Sequence, residues 1–167
     1  EKLAGRIAEQ LEADSISLLN SFKDKDFLSK NNLTEKSVLQ IFVPNSYQFY
    51  WTTSAENFRD KIFVEYNRFW NKSRLQKAKV LELSKEEVIT LASIVQKETV
   101  KIDERPRVAG VYMNRIKKRM LLQADPTVVY SVKKATGVQL KRVLFEHLKI
   151  DSKYNTYMYA GVPPGPI

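Results

Sequence analysis

The chain has 167 residues, 43% of them apolar and 28% charged, which suits a globular core built as one domain or two small lobes. It has no cysteine and one histidine, which excludes disulfides and a thiolate zinc site and argues against a His-rich metal centre or a Ser-His triad. Its 28 basic and 19 acidic residues leave a net charge of +9 and a surface that favours polyanions, but without a Gly-rich phosphate loop or an RNA-binding signature no nucleic-acid partner is expected.

Leu3, Ile7 and Leu11 recur at helical spacing and predict a helix over residues 2–12. Asp14 and Ser15 can cap a second short helix from Ile16 to Phe22, and a third turn holds Phe27 and Leu28. Val38-Leu-Gln-Ile-Phe-Val43, ended by Pro44, reads as a strand. Tyr47-Gln-Phe-Tyr-Trp51 reads as a second strand, with Asn45-Ser46 as the turn. These aromatic residues are expected mostly in a core or a lobe interface, with a sugar platform as the lesser reading. Ser54 marks a helix start. Phe58, Ile62, Tyr66 and Phe69 then follow at three- and four-residue steps, giving an amphipathic helix to about Lys72. Residues 75–83 read as a connector with helical character.

Ser84-Lys-Glu-Glu87 is a capping box. Val88, Leu91, Ala92 and Val95 form an apolar stripe behind it, and Glu98 is the next member of that stripe. Burying a bare carboxylate is costly, so an acid on such a face must be hydrogen-bonded, neutralised or put to use. Desolvation raises a carboxyl pKa, which lets a buried acid keep its proton near neutral pH and serve as a general acid. Asp103-Glu-Arg-Pro106 opens the next helix, whose buried face is Val108, Val111, Tyr112 and Ile116. Asp125-Pro126-Thr127 reads as an N-cap followed by Pro at the first helical position. Gly137 ends that element, and Leu140 to Leu148 is predicted as one more helix. Residues 154–167 carry turn chemistry, with two glycines and three prolines in the last seven positions. His147 reads as structural. No stretch reaches the ~18 apolar residues of a membrane span. The chain opens inside a helical pattern and stops at a Pro-rich loop, so it is expected to be a piece of a longer protein.

Four segments, in order, resemble the YceG-like family of endolytic murein transglycosylases. They are Leu91-Ala-Ser-Ile-Val-Gln-Lys-Glu-Thr99, Val108-Ala-Gly-Val-Tyr-Met-Asn-Arg115, Leu122-Gln-Ala-Asp-Pro-Thr-Val128, and Tyr154-Asn-Thr-Tyr157 followed by Gly161-Val-Pro-Pro-Gly-Pro166. The resemblance is strong from about residue 84 onward and looser over residues 35–72. This chain has Gln96 where many members carry Glu, which leaves Glu98 as the carboxylate of that motif, and Ala124 stands where Thr is common.

The resemblance implies cleavage of the bond between N-acetylmuramic acid and N-acetylglucosamine within peptidoglycan strands. The muramic 6-hydroxyl closes a 1,6-anhydro ring on its own anomeric carbon, so no water nucleophile has to be ordered. One carboxyl, Glu98, suffices as acid and then base, where ordinary glycoside hydrolases need two. A helix-end carboxylate paired to Lys97, Lys101 or Arg105 is the competing structural reading. The substrate-contact candidates are Gln123, Asp125, Thr127, Asn155, Tyr157 and Asn114, with Arg115 as a further candidate or a structural ion pair. For Asp125 an N-cap role competes, and for Asn155 and Tyr157 a turn role.

The expected fold is α+β: a mainly helical catalytic lobe with a small β element and an N-terminal helical lobe. Residues 1–83 form the N-terminal lobe with a short strand pair, any LysM-like region being truncated or absent. Residues 84–167 form the catalytic lobe, truncated at its C-terminal end. The glycan groove is expected between the lobes. No metal or organic cofactor is implied. The resemblance implies glycan strands and wall-synthesis enzymes as partners, a single membrane anchor in the parent chain, and a place on the extracytoplasmic face of the inner membrane. Two other readings stand beside it. One is a non-catalytic glycan-binding module, which would keep its function without Glu98. The other is a pyridoxal-phosphate lyase, a label this family has sometimes carried, which needs a Schiff-base lysine and a phosphate cup.

Overall fold

The computed structural model describes residues 1–35 and 37–167. Among these residues the regular structure comprises eight α-helices and two short 3-10 turns, and no strand occurs. The backbone divides into two compact units, Glu1–Lys77 and Ala78–Ile167.

The first unit holds α1 (Lys2–Ala8), α2 (Ser15–Lys23), α3 (Lys25–Lys30) and α4 (Ala55–Phe69). Asp14 caps α2 by accepting from the amides of Ile16 (2.8 Å) and Ser17 (2.7 Å), and Ser54 caps α4 through the Asn57 amide. Helix α2 packs against α1, α3 and α4. Leu18, Phe22, Ile41, Phe58, Ile62 and Tyr66 fill the space between. Arg59 is buried within this core, its guanidinium 4.3 Å over the Phe27 ring and paired with Asp60 at 2.8 Å. Its charge is satisfied structurally. Helix α5 (Lys72–Val80) carries the chain onward from this unit.

The expected strand pair is not formed. Val38–Ile41 winds as a 3-10 turn, and residues 47–51 have no regular structure. Side chains three apart eclipse in a 3-10 turn, so Val38 and Ile41 can be buried together while Leu39 stays 61% exposed. Alternation in a strand would have put Val38 and Ile41 on opposite faces. Tyr50 and Trp51, expected to be packed away, are exposed.

The second unit is built on α6 (Lys85–Glu98), α7 (Arg105–Lys117) and α8 (Asp125–Thr136). Both bonds of the capping box are present at the start of α6: Ser84 N donates to Glu87 Oε2 (2.8 Å) and Glu87 N to Ser84 Oγ (3.1 Å). Helix α6 packs against both α7 and α8. Leu91, Ile94 and Val95 of α6 meet Tyr112 of α7 and the buried Leu122 and Ala124. Helix α8 ends at Gly137, which takes the left-handed φ of 77° that a non-glycine residue rarely adopts. The helix expected over 140–148 is absent apart from a 3-10 turn at His147–Lys149. Leu140, Val143 and Leu148 are only half-buried and Leu144 and Phe145 are exposed, so the segment lacks the fully buried face that stabilises a short helix. The Leu144 amide donates to His147 Nδ1 (2.9 Å), which gives the lone histidine a structural task. No helix among the described residues is long and apolar enough to cross a membrane.

Candidate active site

Glu98 is the last residue of α6, and its side chain is exposed. The apolar stripe predicted a buried carboxylate, whereas the structure puts the acid one turn past the buried part of the face. It is anchored there all the same. The phenol of Tyr112 donates to Glu98 Oε2 at 3.0 Å. The Tyr112 ring is only 5% exposed and belongs to the core between α6 and α7. A buried phenol needs a partner for its hydroxyl, and Glu98 is that partner. Burial, followed by the Glu98 charge and hydrogen bond, pushes the Tyr112 pKa well up, so the phenol remains a donor. Lys101 pairs with Glu104 (3.2 Å), and Glu98 makes no ion pair among the described residues. The Thr99 hydroxyl also donates to Glu104 (2.7 Å), which fixes the turn just beyond the acid.

Asp125 was expected to cap α8. It lies instead inside the first turn, after Ala124, and its side chain caps nothing. Its Oδ1 accepts from the Tyr157 phenol at 2.5 Å. Burial, then the hydrogen bond to Asp125, pushes Tyr157 up to about 12. The Glu98 charge raises both phenols and the Arg115 charge lowers both, so these side chains share one field. Arg115 itself donates to the Leu122 carbonyl and so takes the structural role without an acidic partner.

Two buried threonines bring these segments together. Thr156 accepts the Ala124 amide on Oγ1 (2.9 Å), and its carbonyl accepts the Gln123 amide (3.0 Å). The hydroxyls of Thr127 and Thr156 lie 2.9 Å apart, and Thr127 Oγ1 also donates to the Ala124 carbonyl (2.6 Å). Asn155 is fully buried, donating to the carbonyls of Leu148 and Ile150 (2.9 Å each) and accepting the Tyr157 amide (3.0 Å). Thr127 and Asn155 were expected to touch substrate. Both side chains are buried and bonded internally, whereas Gln123 and, in the first turn of α8, Asp125 have exposed side chains. Gln123 adopts a left-handed φ of 50° between the buried Leu122 and Ala124. A non-glycine residue there costs about 1–3 kcal/mol and is kept only where its surroundings insist on it. Asn114 is exposed on α7.

Glu98 and Asp125 both line an open cleft of about 740 Å³ contained within the second unit. Lys97, Tyr130, Lys133 and Arg142 share that lining, while Gln123, Asn114 and Tyr157 are not part of it. No group of three or more His, Asp or Glu among the described residues could hold a metal ion. Tyr112 and the cationic lining were missed in the sequence. Tyr112 sits at a helical-core position, and only its polar tip signalled a second task.

The second unit is thus a small helical body with a tethered carboxylate at the rim of an open cleft. The profile of the YceG-like family matches residues 1–167, and the chain belongs to that family. A crystal structure of a YceG-like protein from Listeria monocytogenes superposes with a TM-score of 0.76 at 29% identity, covering 99% of this chain and 58% of that one. A Bacillus subtilis relative named endolytic murein transglycosylase is 45% identical over 96 residues, which are 58% of this chain and 25% of that protein. A Streptococcus pneumoniae relative of the same name is 31% identical over 126 residues, 74% of this chain and 22% of that protein. The chain thus spans about a quarter of the length of the curated relatives it matches.

Proposed function

We propose that the second unit is the catalytic part of a lytic transglycosylase that cuts peptidoglycan strands internally, with Glu98 as its acid and base. The observation that carries this reading is the exposed Glu98 carboxylate, fixed by the buried Tyr112 phenol at the edge of a cleft large enough for several sugar rings. The relatives' name, endolytic murein transglycosylase, supports the same substrate.

In this mechanism protonated Glu98 gives its proton to the glycosidic oxygen as the bond from that oxygen to the muramic anomeric carbon breaks. The muramic 6-hydroxyl oxygen bonds to the same carbon and yields its proton to the Glu98 carboxylate. The acid is thereby restored, and no water is consumed. Tyr112 occupies Oε2, which leaves Oε1 to carry the proton. The fold leaves that acid exposed, so its shielding from water comes from the glycan lying over it. Asp125, tied to Tyr157 in the first turn of α8, contacts the strand from the wall of the cleft. Tyr130, packed against Tyr154 at 4.8 Å between ring centroids, adds apolar surface to the cleft wall. Such a substrate sets the work on the extracytoplasmic face of the bacterial membrane, alongside enzymes that build the wall.

Mass analysis of soluble products from purified peptidoglycan tests this reading. The parent chain should release fragments ending in 1,6-anhydromuramic acid. Glu98→Gln should lower that release by about 10²–10⁴-fold, the usual contribution of a general acid–base group. Reducing ends in place of anhydro ends would mean hydrolysis, with Asp125 as the second carboxylate. Glycan binding without any cleavage would mean a binding module.

A further inference from the structure

The cleft beside Glu98 holds more positive charge than its acids offset. Lys97 from the last turn of α6, Lys133 from α8, and Lys141 and Arg142 beyond α8 all line it together with Glu98 and Asp125. Four cationic side chains against two carboxylates leave the lining at a net +2. The opposite charges do not cancel one another by pairing. Both acids are bonded to neutral phenols, Glu98 to Tyr112 and Asp125 to Tyr157. None of the four cations takes part in an ion pair among the described residues. All four are exposed, and a cleft with low-dielectric walls concentrates their field on whatever enters it.

Resting on the reading of this cleft as the glycan site, we propose that Lys97, Lys133, Lys141 and Arg142 form a carboxylate-recognising rim. The rim selects glycan whose sugars carry carboxylates on their lactyl arms over neutral glycan of the same backbone. Two sources present that chemistry: the free lactyl carboxylate of a strand stripped of peptide, and the carboxylates of a stem peptide attached there. A neutral N-acetylglucosamine oligomer has the same ring faces and amides but nothing for the rim to hold.

The experiment is a binding titration of the 167-residue chain carrying Glu98→Gln, so that strands stay intact. The probes are stripped strands, stem-bearing strands and chitin oligosaccharides. Against this background, Lys133→Gln with Arg142→Gln, and separately Lys97→Gln with Lys141→Gln, remove charge at similar size. These exposed positions leave the core untouched, and circular dichroism checks the fold. An exposed ion pair contributes about 1.5- to 5-fold in affinity, so each double variant should bind anionic strands roughly 3- to 20-fold more weakly and chitin unchanged. Affinity for anionic strands should also fall with added salt, while affinity for chitin holds. Loss on stripped strands alone assigns the free lactyl carboxylate, which the amide bond to a stem peptide removes; loss on stem-bearing strands alone assigns the peptide, and loss on both assigns carboxylates of either source; each supports the rim. Equal loss on chitin, or no loss on any probe, overturns the rim and leaves glycan binding by the parent standing. Failure of the parent to bind any glycan overturns the rim and the glycan reading together.

Discussion

Tyr112 shows how one residue can serve both a core and a site. Its ring is packed among Leu91, Ile94 and Val95, while its hydroxyl holds Glu98. Tyr112→Phe keeps the packing and removes the bond. Glu98 is exposed, so water replaces the lost donor and the melting temperature should barely move, while kcat should fall roughly tenfold as the acid loses its fixed position. Steady-state kinetics beside a thermal melt separates the two effects, and equal losses in both would reduce Tyr112 to a packing residue. Tyr157 offers a second check, by pH. Its ordinary value is 10.0 and burial with the Asp125 bond pushes it up to about 12. A phenol raised by folding adds stability that is complete below about pH 10 and is lost as pH climbs through about 12. Absorbance titration should therefore show phenols ionising late, and Tyr157→Phe should shrink that late phase by one phenol and soften the alkaline fall in stability, with Tyr112 keeping its own late share. At this scale the sequence was partly legible. The motif singled out Glu98, and the structure ties that side chain to the buried Tyr112. The exposure of Glu98 did not follow, because the stripe that buries Leu91 and Val95 runs out before it reaches the helix end.

At the scale of elements, local signals were the readable ones. Asp14, Ser54 and the Ser84–Glu87 box all cap helices as their spacing predicts, because a cap depends on neighbours within a turn. The strand reading of residues 38–43 failed since β-branched residues fit a 3-10 turn when their burial repeats every third position. Asp125 was misread because Asp-Pro is a common cap, and the group that claims its carboxylate lies 32 residues away at Tyr157. The two threonine hydroxyls that join these loops are similarly distant, 29 residues apart. Thr156→Val should cost about 1–3 kcal/mol in a denaturant melt, because it leaves the buried Ala124 amide and Thr127 hydroxyl short of a partner. A loss below about 0.5 kcal/mol would mean that the loops are held by packing alone.

For the molecule as a whole, the net charge of +9 signalled a polyanion-seeking surface without a location. The structure gathers four of those cations around one cleft. No period or motif marks Lys97, Lys133, Lys141 and Arg142 as a set, since they come together only when α6, α8 and the following segment fold. The threonine contact has a kinetic side as well. Glu98 meets Tyr112 across 14 residues, whereas Ala124 meets Thr156 across 32. Closing the longer loop loses more chain entropy before any contact forms. Docking of the 154–157 segment is therefore expected to follow the meeting of α6 and α7, and a low φ-value at Thr156→Val would bear that order out. A state with α6 and α7 assembled and that segment adrift would still hold Glu98 on Tyr112, yet leave Asp125 without its Tyr157 partner.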